Sequence, residues 1–309
     1  MNSNDLSTNT KNNATIVTIG TFDGVHIGHQ KILKDIVSIG KTSGLRSTVL
    51  TLFPHPRMVL QKDDSIKLLN TIDERIDIIK MLGIDHVEVK EFTKEFANMT
   101  ARDYVTKILV NELHVKEVVI GYDHHFGKNR EGNINDLIAF GQEFGFTVKE
   151  IKAQQIADVS VSSTKIRNAL LKGDVETANL YLGYHYNIKG DVIKGDKIGR
   201  TINYPTANLH INAGYKLIPK DGVYVVNAII DGVLVCGMMN IGFNPTIPGK
   251  QRSIEVHFFD FNNELYGRSL RVSFLTRLRG ELKFSSIEGL KAQLKLDEVA
   301  SRKFINGES

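Results

Sequence analysis

The stretch Gly20-Thr-Phe-Asp-Gly-Val-His-Ile-Gly-His29 decides how this chain is read. It follows the β-branched run Thr15–Gly20 and precedes Ile32, Leu33 and Ile36 at helical spacing, so a first strand turns into a first helix across it. In an open parallel sheet that turn is an anion site, because the helix N-terminus presents free N–H groups and the positive end of its dipole beyond the strand ends. Gly24 and Gly28 let the backbone approach a phosphate closely. His26 and His29, three apart, can both donate to phosphate oxygens and stabilise charge on an attacked α-phosphate. A phosphate or hydroxyl nucleophile held in line then reacts by positioning and electrostatics alone. Two surface histidines after a glycine turn would be a blander account, and the strand-turn-helix setting tells against it.

Around this turn the first half alternates short apolar strands with amphipathic helices, the pattern of a parallel sheet covered by helices. The expected strands are Thr15–Gly20, Ser47–Leu52, His86–Lys90, Glu117–Gly121 and Thr147–Ile151. Thr71–Glu74 and Thr100–Asp103 read as helix-opening boxes, the second leading into a helix over Tyr104–His114. Two short helices, Ser163–Lys172 and Asp174–Gly183, close this half, with the domain boundary near Gly183–His185.

Beyond the boundary come strand-like runs broken by glycine, proline and asparagine: Tyr186–Ile193, Thr206–Leu209, Val223–Ile230, Val233–Ile241, Ile254–Phe259 and Leu270–Leu275. That spacing predicts an antiparallel barrel or sandwich. Asp231-Gly232 between two apolar runs predicts a type I′ hairpin. A terminal helix is expected from the box Ser285–Glu288 through Leu290, Leu294 and Val299. A second chemical site lies here. Gly195-Asp-Lys-Ile-Gly-Arg200 is a glycine-bounded basic loop able to fold over a polyphosphate, with Lys197 adding charge. Thr206 and Asn208, two apart on a strand, share a face and offer oxygens to Mg²⁺.

Composition narrows the classes. With 309 residues, 41% hydrophobic and 24% charged, the chain suits two globular domains. Its net charge of +4 is mild and scattered, which favours anionic small molecules over nucleic acid. No run approaches the roughly 18 apolar residues of a membrane span, and Met1–Asn13 is a polar, disordered tail, so a cytoplasmic protein is expected. The single cysteine, Cys236, excludes an internal disulfide framework and reads as a structural residue of a buried strand.

Gly20–His29 resembles the HxGH nucleotidyltransferases and, in its full length, the bacterial riboflavin kinase/FMN adenylyltransferase family, which two further segments also resemble: Gly121–Gly127 with Arg130 and Gly132, and Val161–Arg167. In the second half Gly195–Arg200, the core Pro205-Thr-Ala-Asn208, Asn240–Thr246, Ile254–Phe261 and Leu265-Tyr-Gly267 resemble the kinase part of that family. The resemblance runs from about Thr15 to Asp297. It implies the fold class α/β plus β: a doubly wound parallel-sheet nucleotidyltransferase domain at 14–183 and an antiparallel β-barrel kinase domain at 184–309 with a terminal helix. It implies that Gly20, Phe22, Asp23, Gly28 and Asp123 bind nucleotide beside His26 and His29. Phe126 meets flavin, and Ser163, Thr164 and Arg167 receive ATP phosphates, a role that serine and threonine caps and a nearby arginine suit physically. In the second domain the resemblance implies that Glu255 takes the proton from the riboflavin 5′-hydroxyl, with Gly195, Lys197, Thr206 and Asn208 expected on ATP and Mg²⁺. Arg279 corresponds to a stretch that closes over flavin, and reads equally as a solvated loop arginine.

The expected partners are riboflavin, FMN and ATP, with no nucleic acid and no membrane, in a monomer or weak oligomer. The chain departs from the family at Phe53, where aspartate is usual, at His124, where phenylalanine is usual, and at Asn203-Tyr204, where Gly-Phe is usual. Two other readings therefore stand open: a single surviving activity, or a flavin- or nucleotide-binding regulator without turnover.

Overall fold

In the computed structural model the described residues are 13–61, 66–121, 124–151, 161–195, 198–243 and 252–308. Asp123 and Lys197 lie outside them, as do residues 1–12 of the expected tail and 244–246 of the matched motif. The chain forms two compact units, Met1–Val161 and Ser162–Ser309.

The first unit is built on β1 (Thr15–Ile19), β2 (Arg46–Phe53), β3 (His86–Glu91), β4 (Val115–Gly121) and β5 (Thr147–Ile151). They pair in parallel in the order β3-β2-β1-β4-β5. All five expected strands form, within one or two residues of their expected ends. Alternation sends successive residues to opposite faces, and both faces are covered. Ile16, Val49 and Val119 join Leu33, Ile36 and Ile79 on one side. Val17, Leu50 and Val118 join Tyr104, Leu109 and Leu137 on the other. The strand order reverses between β1 and β4, the place where open sheets of this kind leave a crevice.

Local signals set the helix starts. Thr71 and Glu74 cap the Ile72–Met81 helix reciprocally, at 3.2 and 2.9 Å. The Thr100 hydroxyl accepts from the Asp103 N–H, but the helix then widens into a π-helix over Tyr104–Glu112 and ends two residues short of the expected His114. His114 itself takes a φ of 49° to turn the chain into β4.

In the second unit β6 (Asn187–Ile193), β7 (Ala207–His210), β8 (Gly222–Ile230), β9 (Val233–Phe243), β10 (Arg252–Phe258) and β11 (Ser269–Arg279) close in the order β10-β7-β6-β11-β8-β9. Closure decides for the barrel against the sandwich. Its interior holds Ile188, Tyr224, Val226, Met239, Val272 and Phe274, all fully buried. The β8–β9 hairpin turns at Asp231 and Gly232 with φ of 53° and 80°, the left-handed pair a type I′ turn requires. Cys236 sits on β9 half-buried, its thiol pushed up by burial, while neighbouring Leu234 is exposed.

Two helix details differ from expectation. The terminal helix, Ile287–Ile305, is capped by Ser286 accepting from Gly289 N–H at 3.1 Å, one residue later than the Ser285–Glu288 box. The helix pair Ser163–Lys172 and Val175–Leu182, expected to close the first half, groups with the barrel. Asn179 explains this, because its amide donates to the Phe274 carbonyl at 2.9 Å and accepts from the Tyr186 N–H at 2.7 Å, while Lys220 N–H reaches the Leu170 carbonyl.

Candidate functional site

In the first unit β1 ends at Ile19 and the helix Ile27–Ser43 follows after seven intervening residues, so Gly20–His26 is one tight turn. Phe22 and Val25 adopt φ of 47° and 35°, backbone that side chains rarely take, and Gly24 adopts 85°. Such strain persists only where the surroundings over-determine it. Here Phe22 and Val25 are locked into the core, Val25 N–H bonds the Phe22 carbonyl at 3.0 Å, and the Gln30 amide holds the Val25 carbonyl at 2.9 Å.

His26 is the helix N-cap. Its Nδ1 accepts from the His29 N–H at 3.4 Å, which leaves the ring proton on Nε2. The two imidazoles stack at 3.7 Å between centroids, and Phe22 meets His29 edge-on at 5.2 Å. Burial lowers His26 to about 4, against a smaller opposing pull from Asp23. Burial, then His26 and Arg75, hold His29 well below the ordinary imidazole value. Both are therefore neutral donors near neutral pH, and His29 Nδ1 is buried without a hydrogen-bond partner. A Cβ on Gly28 would press the His26 ring at 3.3 Å, and one on Gly20 would press the Phe22 ring at 3.1 Å, so both glycines clear space for the stack.

Other expected residues of this unit have different work. Asp23 is buried, and its carboxylate accepts from the backbone N–H groups of Leu69 and Asn70, with Arg75 at 3.9 Å, so it clamps the turn rather than facing outward. Phe126, expected on flavin, is 6% exposed and packs on Tyr104 in the core. The ring stacked beyond it is His124, half-buried at 6.1 Å. In the second unit Ser162, rather than Ser163 or Thr164, caps the helix that carries Arg167.

The barrel gathers its expected residues closely. The Thr206 hydroxyl donates to Glu255 Oε2 at 3.2 Å, and Asn208 on β7 lies directly across from Glu255 on β10. Along β10, Ser253, Glu255 and His257 share the partly open face while Ile254, Val256 and Phe258 are buried, so Glu255 and His257 do lie together. His257 Nδ1 is 2.8 Å from the Pro205 carbonyl, which fixes the turn ahead of Thr206. Asn203 takes a φ of 66°, the left-handed conformation for which asparagine is suited. Gly195 presses on Asn208 so tightly that a Cβ would stand 2.2 Å from its Nδ2.

Thr206 also opens on a cavity of about 550 Å³ lined by Arg200, Asn203, Phe258, Phe261 and Tyr266. Arg200 lies over the Tyr266 ring and donates to its hydroxyl at 3.4 Å, which joins two motifs 66 residues apart. The Arg279 side chain is 19% exposed and paired rather than freely solvated. Asp297 holds its Nε and terminal nitrogen at 2.6 to 3.1 Å, and the Gly280 carbonyl takes the remaining donor. The pairing of Glu255 with His257 follows from strand alternation, whereas Asp297, Arg75 and the Tyr204 hydroxyl, which donates to Glu298 at 3.1 Å, could not be found from the sequence. None of the latter carries a local signal, since each acts on a residue distant in the chain.

Among the described residues no cluster of three or more histidine, cysteine or carboxylate groups could hold a metal by itself. The oxygens of Thr206, Asn208 and Glu255 instead form the sparse, hard donor set that suits Mg²⁺ shared with a nucleotide's phosphates.

A parallel sheet with paired histidines at its first helix, together with a barrel bearing Thr206, Asn208 and Glu255, defines a two-part phosphoryl and nucleotidyl transferase. Family descriptions match in the same two parts, FAD synthetase over residues 8–165 and riboflavin kinase over 182–305. The chain is 42% identical to the bifunctional riboflavin kinase/FMN adenylyltransferase of Listeria monocytogenes, over 94% of this chain and 92% of that one. It is 39% identical to that of Bacillus subtilis, over 94% and 93%. The chain belongs to this bifunctional riboflavin kinase/FMN adenylyltransferase family. A solved Streptococcus pneumoniae structure described as a macrolide-efflux protein shares the fold, with a TM-score of 0.82, 32% identity and 94% coverage of both chains. In the present chain no described helix is long and apolar enough to cross a membrane.

Proposed function

We propose that the two sites act in sequence on flavin. The barrel phosphorylates riboflavin to FMN with ATP, and the parallel-sheet unit joins FMN to AMP, releasing pyrophosphate. Functional domains at 14–183 and 184–309 suit the two family matches, which end at 165 and resume at 182.

The observation that carries the kinase step is the contact of Thr206 with Glu255 opposite Asn208. A carboxylate aligned on the 5′-hydroxyl accepts its proton as the oxygen attacks the γ-phosphate. Thr206 and Asn208 would hold Mg²⁺, which supplies charge neutralisation on the phosphates. Gly195 and Lys197 are carried over from the resemblance as ATP ligands, and the aromatic cavity beside Thr206 suits the nucleotide base.

For adenylylation, an FMN phosphate oxygen attacks the α-phosphorus of ATP and the bond to pyrophosphate breaks. His26 and His29, neutral and fixed by their stack, donate hydrogen bonds as charge builds on the phosphate oxygens. Gly20 and Gly28 keep that space open, while Phe22 and Asp23 hold the turn's shape. Ser163, Thr164 and Arg167, with Asp123, are carried over from the resemblance as nucleotide ligands. His124, half-buried and stacked on Phe126, takes the flavin contact in place of Phe126.

Separate assays with riboflavin and with FMN test the reading. Glu255→Gln is expected to lower FMN formation by about 10²-fold to 10⁴-fold while leaving FMN adenylylation intact. FMN accumulating without FAD in the unmodified protein would reduce it to a kinase, and equal loss of both activities in a folded variant would contradict the division of labour.

A further inference from the structure

We infer that Arg75 is a positioning residue for adenylyl transfer: through Thr51 and Asp23 it holds the strained Gly20–His29 turn in the form that stacks His26 on His29. The inference rests on reading that turn as the adenylylation site.

Among the described residues Arg75 is the largest side chain that is wholly buried, on the helix opened by the Thr71–Glu74 box. Its guanidinium donates to Thr51 Oγ1 at 3.3 Å, and that hydroxyl donates on to the Thr21 carbonyl at 3.2 Å, inside the turn. Its other terminal nitrogen stands 3.9 Å from Asp23, the carboxylate that clamps the turn to Leu69 and Asn70. One cation thus reaches the turn from both sides, on either flank of Phe22 with its φ of 47°.

Packing alone does not call for an arginine here, since a buried ion pair is often no more stabilising than apolar residues of the same volume. A fixed charge beside the histidines does serve the chemistry. The groups that bear on His29 are His26 on its own turn and Arg75 from the neighbouring helix, and both oppose its protonation; Asp23 bears on His26 in the other direction. Arg75 therefore helps keep His29 a neutral donor beside an imidazole stacked at 3.7 Å.

The test compares Arg75→Met and Arg75→Lys with the unmodified enzyme. The readouts are kcat and KM for ATP in FAD formation as functions of pH, imidazole titration by NMR, and FMN formation as the control in the other unit. Arg75→Met is expected to lower adenylylation kcat about 100-fold, the scale of a ~1 Å misplacement, with a smaller change in KM. Its acidic limb moves to higher pH as His29 regains basicity, and Arg75→Lys recovers part of the loss. A folded Arg75→Met with unchanged kcat and unchanged acidic limb would overturn the inference. Should that variant not fold, Thr51→Val breaks the same relay, and full activity there would overturn it equally. An unmodified enzyme that makes no FAD would instead remove the reading on which the inference stands.

Discussion

Gly195→Ala adds a single methyl group and is aimed at one atom. The added Cβ would stand 2.2 Å from Asn208 Nδ2, 2.6 Å from Cγ and 2.9 Å from Oδ1, whereas ordinary contact begins at 3.4 Å. Gly195 is not in the left-handed region, so the penalty is steric rather than conformational. The Asn208 amide must therefore retreat by roughly 1 Å, a displacement of the size that costs about 100-fold in rate, or about 2.7 kcal/mol of transition-state stabilisation. Asn208 faces Glu255 across β7 and β10, so the loss falls on the phosphoryl-transfer step. Initial rates of FMN formation, titrated with Mg²⁺, should show a lower kcat and a weaker metal dependence, while FAD formation from supplied FMN stays at its original rate. Unchanged FMN formation in the folded variant would refute the placement of Asn208 in the reaction.

Two further outcomes follow from burial and charge. His26 ionises at about 4 in the folded chain against an ordinary 6.5, so the unfolded chain takes up the proton first as pH falls. The stability this supplies is complete above pH 6.5 and is lost towards pH 4, by up to about 3 kcal/mol. Hydrogen exchange of β1 and β4 should record that decline, and His26→Asn, which keeps a helix cap, should flatten it. Arg279→Ala strips the paired partner from Asp297, itself 4% exposed, and should destabilise the Ile287–Ile305 helix by about 3 kcal/mol. Unchanged exchange protection over that helix would contradict a structural role for the pair.

The strands and the phosphate turn were legible because their signals are local. Period-two runs separated Ile16 from Val17 onto opposite faces, and an Asp-Gly dipeptide at 231–232 set the hairpin. The caps at Thr71 and Gly173-Asp174 were readable for the same reason, while Ser162 and Ser286 each lie one residue from an expected alternative and were chosen by the final helix geometry. The π-widening of Tyr104–Glu112 had no local mark.

Residue order alone supplies the inventory of chemistry: two histidines at a glycine turn, and threonine, asparagine and glutamate in a strand-rich half. Tertiary structure decided which of those groups are free to act. Folding spends Asp23 on backbone N–H groups 46 and 47 residues away and Arg279 on Asp297, and it encloses Phe126 in the core. It also brings Glu255 to Thr206 across 49 residues, and sets Arg75 close enough to oppose protonation of His29. The physical reason is that an ion pair, a clamp or a desolvated imidazole depends on distance in space and on excluded water, and neither is encoded by spacing along the chain.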